Sequence, residues 1–158
     1  MGSNYKGFLY AGLMIVKDEP YLIEYNVRMG DPETEVVLPR IKSDLVKLFK
    51  AVANQTLNEE ILEIDERSAT TIMLVSGGYP EDYEKGCEIS GIDLVQDSIV
   101  FHAGTKEEKG KVVTNGGRVL AITSYGNNFQ DAIKKSYQSI EKIHFDKMYF
   151  RKDIGNDL

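Results

Sequence analysis

The chain has 158 residues, with 19 Lys and Arg against 25 Asp and Glu, a net charge of −6 and a pI near 5.0. Its 42% hydrophobic and 28% charged residues sit near the globular average, enough for one ordinary domain or two small ones, and its acidity counts against a nucleic-acid binder. One cysteine, Cys87, and two histidines, His102 and His144, exclude an intrachain disulfide, a cysteine zinc cluster and a His-rich metal site. No apolar run approaches ~18 residues, so no membrane span is expected. The start Met1-Gly2-Ser3 lacks a basic-then-apolar signal and reads as an expression scar. An acidic, soluble, cytoplasmic protein is the expectation.

Phe8 to Val16 is an apolar strand candidate and Tyr21 to Val27 a second, with the polar Lys17-Asp18-Glu19-Pro20 as the loop of an antiparallel hairpin. Gly30-Asp31-Pro32-Glu33 has the grammar of a helix start, with Asp31 as cap and Pro32 at the first helical position. Pro39 ends or kinks that element. Ser43 is placed as the cap of a second helix, whose Leu45, Leu48, Phe49 and Val52 share one face. A hairpin and two helices bury too little apolar surface to stand alone, so this segment reads as part of something larger.

Between Asn58 and Glu66 five acids fall in nine residues with no base, and a boundary is placed there, dividing the chain into 1–66 and 67–158. Thr70 to Ser76 suits a strand covered on both faces. Gly77-Gly78-Tyr79-Pro80 breaks it. Shorter strands are expected at Glu88 to Ile89, Ser98 to His102, Lys111 to Thr114 and Arg118 to Ser124. A last helix runs from about Asn128 to Lys142, with Phe129, Ala132, Ile133, Tyr137 and Ile140 inward and Asp131 paired to Lys135 outside. The fold class is α+β, with a small β-rich domain closed by a terminal helix.

Four groups of residues could carry chemistry. Glu24 and Asn26, two apart in a strand, stand on one face and offer the hard oxygen ligands that Mg²⁺ prefers; the same spacing also makes an ordinary solvated strand face. Arg28 and Gly30-Asp31-Pro32-Glu33 follow, where a helix N-terminus can meet a phosphate or where Asp-Pro-Glu simply caps. Thr114-Asn115-Gly116-Gly117-Arg118 is a strong hairpin signal and also a glycine-lined loop whose N–H groups and guanidinium can hold a phosphate. Lys106, near His102-Ala103-Gly104-Thr105, opens a charged run with the character of a solvated loop. Cys87 and His102 read as structural residues, and Arg151-Lys152-Asp153 as a surface ion pair or docking tail. No Walker loop, dinucleotide fingerprint or nucleophile elbow is present.

Gly7-Phe8-Leu9-Tyr10-Ala11-Gly12-Leu13-Met14 and Ile23-Glu24-Tyr25-Asn26-Val27-Arg28-Met29-Gly30-Asp31-Pro32-Glu33-Thr34 resemble the end of the ATP-grasp region of the glycinamide ribonucleotide synthetases. Ser76-Gly77-Gly78-Tyr79-Pro80, Phe101-His102-Ala103-Gly104-Thr105, Thr114 to Arg118 and Arg151-Lys152-Asp153-Ile154-Gly155 resemble the C-terminal domain of the same family. R-x-G-D-P-E with T-N-G-G-R at this distance is far more specific than either piece. The resemblance implies an ATP-dependent carboxylate–amine ligase of purine synthesis that joins glycine to 5-phosphoribosylamine through an acyl phosphate.

Carried over residue by residue, Glu24 and Asn26 would hold Mg²⁺ or Mn²⁺ between ATP phosphates, and Arg28 would stabilise the transferred phosphoryl group or the glycine carboxylate. Asp31 or Glu33 would orient an ammonium or a hydroxyl, Gly30 and Pro32 would shape the substrate pocket, and Arg118 with Lys106 would meet the ribose phosphate. Many ATP-grasp proteins carry a further acidic ligand near the position of Gly12. The resemblance also implies a C-terminal fragment, inactive alone, of an enzyme that is monomeric when complete. The fragment's strands, having lost sheet neighbours, are expected to pair with another copy. Rival readings are a related purine-pathway ATP-grasp carboxylase or ligase, and a free-standing nucleotide-binding module.

Overall fold

The structure, a computed structural model, describes residues 4–156; the Met1-Gly2-Ser3 start lies outside the described residues. The chain divides into two compact units, one ending at Asp65 and the other beginning at Glu66.

In the first unit, strands β1 (Tyr10–Val16) and β2 (Glu19–Asn26) form an antiparallel hairpin. The expected four-residue loop is shorter than its sequence suggests. Lys17 and Asp18 alone make the turn, with φ of 52° and 65°, the left-handed pair that matches strand twist. Glu19 and Pro20 are already paired, with Val16 and Ile15; proline is tolerated because β2 is an edge strand. The register skips Ile23, shifting between Gly12 and Leu13.

Helix α1 (Thr34–Val37) has only four residues and starts later than the Asp31 cap predicts. The turn closes on Gly30, whose carbonyl accepts from the Thr34 N–H at 3.0 Å and from its hydroxyl at 2.5 Å; the Asp31–Pro32 peptide is cis. Pro39 sits, as expected, where α-helix gives way, inside a 3₁₀ turn over Leu38–Arg40. Helix α2 (Leu45–Asn54) is capped by Asp44, which accepts from the Val46 and Lys47 N–H groups, and not by Ser43. Ser43 is spent elsewhere, donating to the Ile61 carbonyl and accepting from the Glu63 N–H. Of the predicted apolar face Leu48 is buried and Phe49 exposed.

The second unit is built on a three-stranded antiparallel sheet ordered β3 (Ser68–Val75), β7 (Arg118–Gly126), β4 (Ile99–His102). Helix α3 (Phe129–Ile140) begins at Asn128, whose side chain accepts from the Asp131 N–H at 2.8 Å. It packs on β3 and β7. Ile72, Leu74, Val119, Leu120, Ile122, Ile140 and Phe145 form the core, and Met73 and Val75 on the far face of β3 are half-buried. Lys135 donates to the Tyr125 carbonyl rather than pairing with Asp131.

Two expectations fail here. Glu88 and Ile89 form no strand of their own; Glu88 makes one isolated bridge, to Val113. The charged run after Gly104 is no loop: β5 (Thr105–Glu108) pairs with β6 (Lys111–Thr114) across a Lys109-Gly110 turn with φ of 52° and 77°.

Candidate functional site

In the first unit, Gly12 lies opposite Glu24 and Tyr10 opposite Asn26, so all four share one face of the hairpin. Asn26 Nδ2 donates to Glu24 Oε1 at 2.8 Å. That bond leaves the Asn26 amide oxygen and the second Glu24 oxygen as a pair of hard donors, a set that suits a small divalent cation completed by phosphates and water. A side chain at Gly12 would press on Glu24, whose Cγ is 3.2 Å from a Cβ built there. The cross-strand position where a further acid could stand is therefore occupied by Glu24 itself.

Glu33 reaches the same region. Its carboxylate folds over Gly30, filling the space where a Cβ would stand, and accepts from the Tyr10 hydroxyl at 3.4 Å. The bareness of Gly30 is thus used by Glu33, not left open to a ligand. Arg28 lies past the end of β2, exposed, with its guanidinium on the Met29 carbonyl at 3.0 Å. Asp31 is exposed and Pro32 half-buried. The four-residue α1, with its Thr34 N–H already bonded, offers no helix-dipole site. Tyr10 was missed by sequence reasoning; its place opposite Asn26, two residues from Gly12, was the available signal.

In the second unit three glycine-containing segments meet. Gly104 N–H donates to the Arg118 carbonyl at 2.7 Å, and the Asn115 N–H to the Gly104 carbonyl at 2.7 Å. Ser76, buried at the end of β3, donates its hydroxyl to the Gly116 carbonyl at 3.0 Å and its N–H to the Gly117 carbonyl at 2.8 Å. The Tyr79 ring occupies the space over Gly117 where a Cβ would stand.

Asn115-Gly116 is consequently no hairpin turn: β6 pairs with β5, β7 with β3 and β4, and neither Gly116 nor Gly117 has a positive φ. Gly116 leaves room for the Gly104 backbone, whose Cα is 3.0 Å from a Cβ built there, and Gly117 leaves room for the Tyr79 ring. Arg118 is half-buried at the head of β7, and Lys106 is exposed and ion-paired to Glu108 at 2.8 Å. His102 Nδ1 shares a 3.0 Å hydrogen bond with the Thr105 hydroxyl, in line with a structural role.

Outside these regions Cys87 is half-buried against the core, with its sulfur within 4.8 Å of carboxylate oxygens of Glu84 and Asp146. Lys147 lies 3.1 Å from Glu84, and this hydrogen bond and charge raise the Lys147 pKa above its usual value. Arg151 and Asp153 form a two-pronged ion pair at 2.9 and 2.8 Å, the surface-pair alternative for that segment. An apolar cleft lined by Phe8, Phe49, Val52 and Leu57 lies in the first unit, apart from the Glu24–Asn26 pair in its lining. Among the described residues, no helix is long and apolar enough to cross a membrane.

The sequence profile of the phosphoribosylglycinamide synthetase C domain matches residues 69–157, and that of the ATP-grasp (A) domain of the same synthetase matches residues 1–34. The chain is 44% identical over 154 residues to phosphoribosylamine–glycine ligase of Caldanaerobacter subterraneus subsp. tengcongensis and 48% identical over 158 residues to that of Escherichia coli strain K12. Each match covers 98% of this chain and 37% of the relative. A crystal structure of phosphoribosylamine–glycine ligase from Thermotoga maritima superposes with a TM-score of 0.76 at 38% identity, over 92% of this chain and 36% of that one. The chain thus spans little more than a third of the length of these relatives.

Proposed function

The chain belongs to the phosphoribosylglycinamide synthetase family, and from that premise we propose that it forms part of an ATP-dependent ligase joining glycine to 5-phosphoribosylamine in purine synthesis. ATP phosphorylates the glycine carboxylate, releasing ADP. The amine of phosphoribosylamine attacks the resulting acyl phosphate, phosphate leaves, and glycinamide ribonucleotide is the product. The observation that carries this reading is 44–48% identity across 98% of the chain to relatives bearing that name. Cytoplasmic location belongs to the same reading.

The residues take these roles. Glu24 and Asn26 supply oxygen ligands to Mg²⁺ or Mn²⁺, which when bound neutralises ATP phosphate charge. Arg28 faces the transferred phosphoryl group or the glycine carboxylate. Gly30 and Pro32 shape the turn that presents Asp31 and Glu33 for an ammonium or a hydroxyl. Tyr10 steadies Glu33. Arg118, with Lys106 as a less secure second cation, meets the ribose phosphate.

Catalysis requires groups converging on the reacting atoms, so the chain alone is inactive and the activity belongs to a polypeptide of the relatives' length, monomeric when complete. The first unit's open hairpin pairs with a second copy of this chain when no other strand covers it.

Calorimetric titration of the chain with glycinamide ribonucleotide tests the phosphate role: binding to the wild type that disappears in Arg118→Ala is expected. Equal affinity in both proteins would remove Arg118 from the site. Glycine-dependent ADP release by a polypeptide of the relatives' length tests the reaction. Bicarbonate or formate dependence in its place would move the protein to another ATP-grasp class.

A further inference from the structure

We draw no further inference here: the strongest candidate, the Glu84–Cys87–Asp146 side-chain cluster in the second unit, is two exposed carboxylates beside a single half-buried cysteine with the Lys147 ammonium already on Glu84, and no second feature among the described residues points to a ligand there.

Discussion

Gly104 illustrates how much a missing side chain can matter at a single residue. Its φ is not positive; what it lacks that matters is a Cβ. An atom there would stand 2.5 Å from the Arg118 carbonyl oxygen and 2.7 Å from Gly116 Cα. Both obstacles are backbone, so neither can swing aside. Gly104→Ala should cost about 2 to 3 kcal/mol, the upper range for overpacking, measured as a lowered urea midpoint; an unchanged midpoint would mean the two loops do not touch in solution. At Asp153 the effect is electrostatic. The hydrogen bond from Arg151 holds its carboxyl below the ordinary value of 3.8. A carboxyl depressed in the folded protein stabilises above the unfolded value, and that contribution is lost as pH falls from 3.8 through the folded value. Both side chains are exposed, so the effect on stability is small. Carbon-13 titration of the side-chain carboxyl is the direct check: a midpoint below 3.8 that returns to it in Arg151→Ala is expected.

Elements were legible in sequence where apolar periodicity spoke and illegible where turns or caps decided. β3, β4, β6, β7, α2 and α3 follow their apolar patterns to within a few residues. Of the two tight turns, Lys17-Asp18 was placed inside a longer polar loop and Lys109-Gly110 was missed; both begin with a lysine in the left-handed region, a residue that carries no turn signal. β5 was hidden by its charges: Lys106, Glu107 and Glu108 all lie exposed, paired by backbone bonds to β6 that side-chain chemistry does not announce. Ser43 and Asp44 are both good caps, and the choice between them depended on Ser43 being drawn to Ile61 and Glu63, a long-range contact. The α3 interface hides a further feature. Ser98 shares hydrogen bonds with Ser124 at 2.6 Å and with Ser139 at 2.7 Å, and Ser136 donates to Ser124 at 2.8 Å. Ser124, Ser136 and Ser139 are buried. Ser98→Ala strips one partner from each of two buried hydroxyls and should cost about 1 to 3 kcal/mol in urea unfolding. Loss of the α3 cap in Asn128→Ala should cost about 1 kcal/mol. If Ser98→Ala costs nothing, water replaces the serine there.

Across the whole molecule, apolar burial is unevenly divided, and this sets how each unit behaves. Among the described residues the first unit buries Leu48 and Ala51, while Ile72, Leu74, Val119, Leu120, Ile122, Ile140 and Phe145 are buried in the second. The division at Asp65–Glu66 falls at the end of the acidic run. The candidate site was legible in its motifs and not in its joints. Glu24 and Asn26 do stand side by side, but the hold of Ser76 on Gly116 and Gly117 joins segments forty residues apart, a distance no local pattern spans. The same uneven burial leaves the hairpin open. Leu13, Met14, Ile15, Tyr21, Ile23 and Tyr25 are each more than half exposed, and in a two-stranded sheet both strands present an unpaired edge. Surfaces of this kind drive association, and a second copy of the same chain carries the matching edge. Sedimentation velocity should therefore show concentration-dependent growth beyond the monomer. Ile15→Lys combined with Ile23→Lys, which places charge on the exposed apolar hairpin and leaves the core of the second unit untouched, should return the protein to a single monomeric species. A wild-type chain that sediments as a monomer at every concentration would show that the hairpin does not recruit a copy of itself.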